Sequence, residues 1–256
     1  MNVDSNELKL KREAEFHNER YASESENREP VQKYYRLKKE LDEKFAQKVI
    51  NKAKNGKVLE IGCGPNINTI HWVDLATESW AIDISEVAIE QARAVMGANH
   101  SKAHLEVMNA ESMNFDDNYF DLVCGKGIIH HLDVNKSYQE ISRILKPDGL
   151  AIFIEPLGHN PIINLYRRLT PKMRSDDEYP LLMSDVKLAQ DYFEHTQITY
   201  KNMTRILAAF APKGLLFDTA KAALGGLDSI INTILPFTKK YSWMILMELE
   251  RPRSKR

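Results

Sequence analysis

Lys57-Val58-Leu59-Glu60-Ile61-Gly62-Cys63-Gly64-Pro65-Asn66 is a short apolar run that carries an acid near its end and breaks into a glycine turn. Its length suits a buried strand that delivers a carboxylate and a close-approach loop to one edge of a sheet, where open α/β sheets bind nucleotides. Working outward, a second apolar run, Trp80-Ala81-Ile82, ends at Asp83. That acid lies slightly beyond the roughly 20-residue interval at which α/β sites place a ribose-binding carboxylate. The two strand ends together predict an adenosine-bearing ligand.

The turn narrows the choice of ligand. A dinucleotide fingerprint needs a third glycine three places after Gly64, and Ile67 stands there. Glu60 would set negative charge against a pyrophosphate, but it would suit a ligand with an amino group and a sulfonium. Such a ligand is S-adenosylmethionine.

The motifs of the central region follow in one order. After Val58 to Gly64 come Ala81-Ile82-Asp83-Ile84-Ser85, Met108-Asn109-Ala110-Glu111, Phe120-Asp121-Leu122-Val123 and Ile144-Leu145-Lys146-Pro147-Asp148-Gly149. With these, Val58 to Pro156 resembles the class I S-adenosylmethionine-dependent methyltransferases of the type 11 group, which includes the ubiquinone/menaquinone C-methyltransferases. The resemblance implies an α/β fold: a Rossmann-like seven-stranded, mostly parallel sheet with helices on both faces. It implies S-adenosyl-L-methionine as cofactor, S-adenosyl-L-homocysteine as product, and cofactor contacts from Glu60, Gly62, Gly64, Asp83, Ile84, Asn109, Ala110, Glu111 and Gly125. Two positions depart from the family pattern. Asn66 replaces a third glycine, and Asn tolerates left-handed backbone angles better than most residues. Asn109 replaces an Asp in the adenine turn, where its amide oxygen can accept without charge.

At 256 residues the chain suits one domain with additions. A formal net charge of −1 and a pI near 6.7 give no global attraction to nucleic acid. The two cysteines, Cys63 and Cys124, fit a reduced cytoplasmic compartment better than a disulfide framework. Met1 to Glu29 has no signal-peptide core, no run reaches the length of a membrane span, and a soluble protein is expected.

The resemblance, taken with the periodicity, implies an N-terminal helical cap or lid over residues 1–53 and a methyltransferase domain over 54–256. The cap is charged to Pro30, helical around Leu8 to Phe16, and then an amphipathic helix from Val31 to Ala53 with Tyr34, Leu37, Leu41, Phe45 and Val49 on one face. Helices are expected at Glu86 to Met96 and Val134 to Leu145, at Ile162 to Leu169 behind an Asn160-Pro161 cap, and from Ser184 to about Phe193. Thr170 to Pro180 reads as a polar loop. Gln197 to Met203 is the expected sixth strand, and Tyr241 to Glu250 the seventh, which in the family folds back antiparallel beside the fifth. A helical insertion at about 204–240 precedes it. Its apolar part, Ile206 to Phe237, reads as helices packed on the sheet or on a partner subunit, compatible with a homodimer. The alternatives are a lid over a hydrophobic substrate or a membrane-surface helix.

Methyl transfer from positive sulfur needs alignment, exclusion of water and, for a hydroxyl or acidic carbon, a base. Glu155 and His159 after the fifth strand are the first candidates; the alternatives are a carboxylate holding loop amides and a histidine packed beside the Asn160 cap. His130 and His131 follow the fourth strand, one ring expected inward and one in solvent, with His131 the candidate base and a structural role the alternative for both. Asp121 is usually structural in the family. Phe16-His17-Asn18-Glu19-Arg20-Tyr21 resembles a segment that such enzymes fold over the cofactor, with His17 and Tyr21 sealing the chamber or binding substrate. Tyr166 and Arg167 could bind an anionic substrate, and no metal ligands are expected. The expected activity is methylation of a small molecule at oxygen or carbon, a hydrophobic one where the insertion acts as a lid. Protein or RNA methylation and non-catalytic cofactor binding are the alternatives.

Overall fold

The computed structural model describes residues 5–22, 34, 36–170 and 179–253. Seven strands form one sheet in the order β3-β2-β1-β4-β5-β7-β6: β1 Lys57–Ile61, β2 Glu78–Asp83, β3 Ala103–Val107, β4 Phe120–Lys126, β5 Leu145–Pro156, β6 Phe193–Lys201 and β7 Met244–Pro252. The first five run parallel, and β7 lies antiparallel between β5 and β6. The strand order reverses between β1 and β4, the position at which doubly wound sheets open a crevice at their carboxyl ends.

Both faces are covered because β1 alternates. Leu59 and Ile61 enter a core cluster with Tyr138, Ile141 and Ile144 of α4 (Val134–Ile144) and Val186 and Ala189 of α6 (Met183–Tyr192). Val58 enters the opposite cluster with Leu41, Phe45 and Val49 of α2 (Lys39–Ala53). This period of two on a strand buried on both sides is what a parallel sheet requires. On the same face as α2, α3 (Glu86–Met96) lays Ile89, Ala92 and Met96 on Ala81 and Leu105.

The first helix, α1 (Ser5–Ala22), runs further than the expected Leu8 to Phe16 and lies against α3, whereas α2 is part of the sheet's own core. Val31 to Lys33 and Tyr35 of the expected second helix lie outside the described residues, as does most of the loop expected at Thr170 to Pro180.

Several boundaries move for local reasons. The fifth strand begins at Leu145, ahead of the expected turn, which survives as a register shift between the Phe120–Leu145 and Leu122–Leu150 pairs. The helix expected to be capped by Ser184 is α6, opened at Leu182, whose amide donates to Asp185 Oδ2 at 2.7 Å. The sixth strand spans Phe193–Lys201, earlier than expected. Asn160 does cap α5 (Pro161–Leu169), accepting from the Ile162 and Ile163 amides at 3.0 and 3.2 Å. The insertion becomes a 3-10 segment at Arg205–Phe210 and α7 (Leu215–Ile234), which buries only Phe217 and Asp228. Ile206, Ala208, Ala209 and Phe217 of the insertion join the core cluster on the α2 face of the sheet, while most of α7 extends beyond it.

Asp121 has the structural role expected of it. It accepts from the Lys57 amide at 2.8 Å and from Lys146 Nζ, tying together the amino ends of β1, β4 and β5. Burial would raise its pKa, but these bonds hold it below the usual carboxylate value. Cys63 and Cys124 are buried free thiols, and burial pushes both pKa values well up, so neither is a ready nucleophile.

Candidate active site

The glycine turn after β1 is shaped by backbone conformation. Gly62 and Gly64 have φ of 61° and 56°, the left-handed region that side chains avoid. A Cβ on Gly62 would lie 2.6 Å from Ile128, and one on Gly64 would sit in ordinary van der Waals contact with the Tyr21 hydroxyl, 3.6 Å away. Asp83 at the end of β2 fixes the turn from the side. Its Oδ2 accepts from the Gly64 amide and its Oδ1 from the Ser85 amide, each at 2.9 Å, leaving a second lone pair on each oxygen. Ile84 follows, half-buried.

Glu60 acts one layer below. Its Oε1 accepts from the Asn68 amide and side chain and its Oε2 from the Thr69 amide and hydroxyl, at 2.7–3.2 Å. Both oxygens are filled by loop donors. Glu60 therefore holds the loop behind the glycine turn and does not offer a free carboxylate to a ligand, as the sequence suggested. Burial raises its pKa, opposed by those four bonds.

The third strand end is built by Asn109, whose Oδ1 accepts from the Glu111 amide at 2.9 Å, with Ala110 buried between them. Glu111 turns away from this edge: its Oε1 accepts from the Asp133 amide at 2.8 Å, tying the turn to the start of α4. In β4, a Cβ on Gly125 would come within 2.8 Å of both Ile128 and the Ile61 carbonyl, so glycine there lets β4 pass close to β1. A cavity of about 390 Å³ lined by Asp42, Phe45, Asn68, Trp72 and Lys126 lies behind the Glu60 loop and includes none of the expected cofactor residues.

Glu155 is fully buried. Its Oε1 accepts from the Ile128 and Ile129 amides at 3.0 and 2.9 Å, and its Oε2 lies 2.7 Å from His130 Nδ1. It is a carboxylate holding loop amides and not a group at the surface of a chamber, which removes it as candidate base. His159 is likewise structural: its Nε2 accepts from the Met183 amide at 3.3 Å, at the start of α6. The expectation that one of His130 and His131 would face solvent also fails, because His130 is buried and His131 half-buried. Tyr166 joins an edge-to-face cluster around Tyr34 with Phe210 and Trp243, and Arg167 sits half-buried in the last turn of α5. Neither belongs with the histidines.

What stands beside His131 is α1. Asn18 Oδ1 accepts from the Ser85 hydroxyl at 2.6 Å, and the Tyr21 carbonyl accepts from Gln91 at 2.9 Å, which fixes the helix across the end of β2 and along α3. Glu13, His17 and Tyr21 are spaced at i, i+4 and i+8, one face of a helix. His17 stacks on Tyr21 at 5.5 Å and meets the His131 ring edge-on at 5.3 Å. Glu13 Oε2 lies 3.3 Å from His131 Nδ1 and 3.5 Å from His17 Nε2. The three side chains bring one potential ligand atom each to within 4.8 Å of one another, a donor set able to hold a divalent cation as well as a proton. Glu13 is absent from the sequence-based candidates.

A family model described as a methyltransferase domain matches residues 59–153. An uncharacterised protein of Haemophilus influenzae is 30% identical over 195 residues, covering 71% of this chain and 73% of that protein. The chain belongs to the class I S-adenosylmethionine-dependent methyltransferases. A demethylmenaquinone methyltransferase of Staphylococcus epidermidis is 28% identical over 142 residues, 49% of this chain and 53% of that one. A phosphoethanolamine N-methyltransferase 2 of Haemonchus contortus, solved with phosphomonomethylethanolamine and S-adenosylhomocysteine, superposes with a TM-score of 0.58 at 15% identity, covering 84% of this chain and 53% of that chain. The chain thus spans about half the length of the last two. The family's cofactor fits what is present: a glycine turn in which a Cβ on Gly64 would meet only the Tyr21 hydroxyl among the described residues, and a carboxylate beside it with lone pairs to spare.

Proposed function

We propose that this chain transfers the methyl group of S-adenosylmethionine to an oxygen or carbon atom of a small, largely apolar molecule, with His131 as proton acceptor. The observation that carries the proposal is the convergence on His131 of Glu13 and His17, from the helix whose Tyr21 hydroxyl faces Gly64. When bound, the cofactor supplies a methyl group already activated by positive sulfur. Asp83 would hold the ribose hydroxyls through its remaining lone pairs, while Gly62 and Gly64 let the backbone approach. Asn109, Ala110 and Ile84 would border the adenine. Tyr21 and His17 would cover the chamber and exclude water.

Glu13 beside Nδ1 favours a proton on that nitrogen and leaves the Nε2 lone pair of His131 to take the proton of the acceptor. The 3.3 Å approach lies outside hydrogen-bond geometry, a looseness common in catalytic pairs before substrate is present. An oxygen or carbon acceptor gives that base its use, since both shed a proton on methylation. Support for a small acceptor comes from the Staphylococcus epidermidis relative, whose name gives demethylmenaquinone as its substrate.

The test is radiolabelled methyl transfer into fractionated cell extract, with the wild-type chain, His131→Ala and Glu13→Gln, each with and without EDTA. Label should enter small molecules and fall at least a hundredfold for His131→Ala, with S-adenosylhomocysteine affinity changed less than threefold. Label in protein or RNA, or nowhere, overturns the proposal. Turnover lost to EDTA and restored by a divalent ion would assign the three groups to a metal instead.

A further inference from the structure

The outer face of α7 is the largest feature that methyl transfer leaves unused. Leu216, Leu227, Ile230 and Ile234 recur at helical spacing and are 67, 44, 59 and 70% exposed, and Phe237 just beyond is 66% exposed. Contiguous exposed apolar surface of this kind marks an interaction site. The helix is nonetheless firmly seated. Asp228 on its inner side accepts from the Met203, Thr204 and Arg205 amides and the Thr204 hydroxyl at 2.6–3.2 Å, and Phe217 lies under Arg36 at 4.4 Å.

The charges flanking this face select its partner. From Ala222 to Thr238 the sequence has one charged residue, the buried Asp228. Lysines stand at both ends: Lys213 just before the helix, Lys239 and Lys240 just after it. Lys213 sits where the helix dipole is itself positive, so the charge is reinforced there and not cancelled. Asp218 is an acid near that end, and it pairs with Lys221 at 3.9 Å. A second copy of this helix is a poor match. Antiparallel pairing sets Lys213 against Lys239 and Lys240, parallel pairing sets each lysine against its own kind, and both are repulsive. No helix among the described residues is long and apolar enough to cross a membrane. An apolar face about 30 Å long with cationic ends matches a helix lying in the surface of an anionic bilayer.

We infer that α7 docks the chain on anionic membrane surfaces, with Leu216, Leu227, Ile230, Ile234 and Phe237 entering the acyl boundary and Lys213, Lys239 and Lys240 meeting lipid phosphates. The inference does not depend on which acceptor is methylated, or on turnover at all.

The experiment is co-sedimentation of the full chain with vesicles of phosphatidylcholine alone or with 30% phosphatidylglycerol. Binding should be confined to the anionic vesicles and should weaken in 0.5 M salt. Lys239→Ala/Lys240→Ala should cost about fivefold per lysine. Ile230→Glu/Ile234→Glu should lower partitioning at least tenfold while melting temperature and S-adenosylhomocysteine affinity stay at wild-type values, because both changes lie opposite the Asp228 anchor. Equal binding to both vesicle types, no binding, or no effect of the glutamates overturns the inference. A dimer in analytical ultracentrifugation that Ile230→Glu dissociates, without vesicle binding, would give the face to a second copy.

Discussion

Replacing Glu155 separates a carboxylate that reacts from one that positions. Its two oxygens serve three donors in a fully buried space: the Ile128 and Ile129 amides and His130 Nδ1. Glu155→Ala leaves all three without a partner at roughly 1–3 kcal/mol each. Partial rearrangement of the loop would offset some of this, so a loss of about 4 kcal/mol is expected, a large share of the roughly 5–15 kcal/mol that holds a typical domain together. Glu155→Gln keeps one oxygen for the two amides and exchanges a charged for a neutral partner at His130. Its cost should be about 1.5–2 kcal/mol. At roughly 2–4 °C per kcal/mol for a chain of this size, melting should drop by about 8–16 °C for alanine and 3–8 °C for glutamine. Methyl transfer, assayed at a temperature where both variants are folded, should fall in the same order, with glutamine recovering much of it, because the residue acts by placing the His130–His131 segment. Wild-type melting in both variants with turnover equally abolished would refute this, since only a carboxylate that itself takes the proton behaves so.

Asp83→Asn should lower S-adenosylhomocysteine affinity at least tenfold by calorimetry and also cost some stability, because the same oxygens hold the Gly64 and Ser85 amides; unchanged affinity in a folded variant would remove Asp83 from the cofactor site. Hydrogen exchange across Glu15 to Ala22 should slow on adding S-adenosylhomocysteine, and a chain lacking Met1 to Tyr21 should stay folded but turn over poorly; full activity after the deletion would show that α1 plays no part in the chamber. Glu40 bonds Arg205 and lies 3.4 Å from Lys201, and the Arg205 bond first among these holds its pKa at about 2, below the ordinary 4.5. A depressed carboxylate stabilises above its unfolded pKa and loses that contribution as pH falls, so the melting-temperature gap between wild type and Glu40→Gln should be full at pH 6 and shrink between about pH 4.5 and 2; a gap independent of pH would disprove the ion pair's role.

The central sheet was legible because its signals are local. Val58 to Ile61, Trp80 to Asp83 and Phe120 to Val123 each carry enough apolar residues in a row to be read as strands buried on both faces, and Asn160-Pro161 caps its helix through atoms two and three residues away. The edge was less legible. In β6 only Phe193 is buried, and a half-exposed strand carries too little periodicity to mark its start. Glu155 could not be sorted from its own sequence context, because its donors arrive from a loop some 25 residues earlier that only the β4–β5 pairing brings near. Glu13 is hidden for the opposite reason: it looks like one more acid in a charged leader. The clue available was its i, i+4, i+8 spacing with His17 and Tyr21, which puts a carboxylate, an imidazole and a phenol on one helical face.

That face makes α1 the element on which both halves of the proposed chemistry converge. One end of its contact surface, Asn18 and Tyr21, meets Ser85, Gln91 and the Gly64 turn, beside Asp83, the proposed ribose ligand. The other, Glu13 and His17, meets His131. Among its described side chains Glu13 alone is buried, so the helix is held by a handful of polar and ring contacts and not by an apolar core. Most helical stability in proteins comes from packing an apolar face, and α1 buries little of one. A ligand bound between Tyr21 and the Gly64 turn that favours the docked helix would also favour the Glu13–His131 approach. By linkage the coupling runs both ways: an acceptor that engages His131 in the closed arrangement must strengthen cofactor binding by the same factor by which the cofactor strengthens its own.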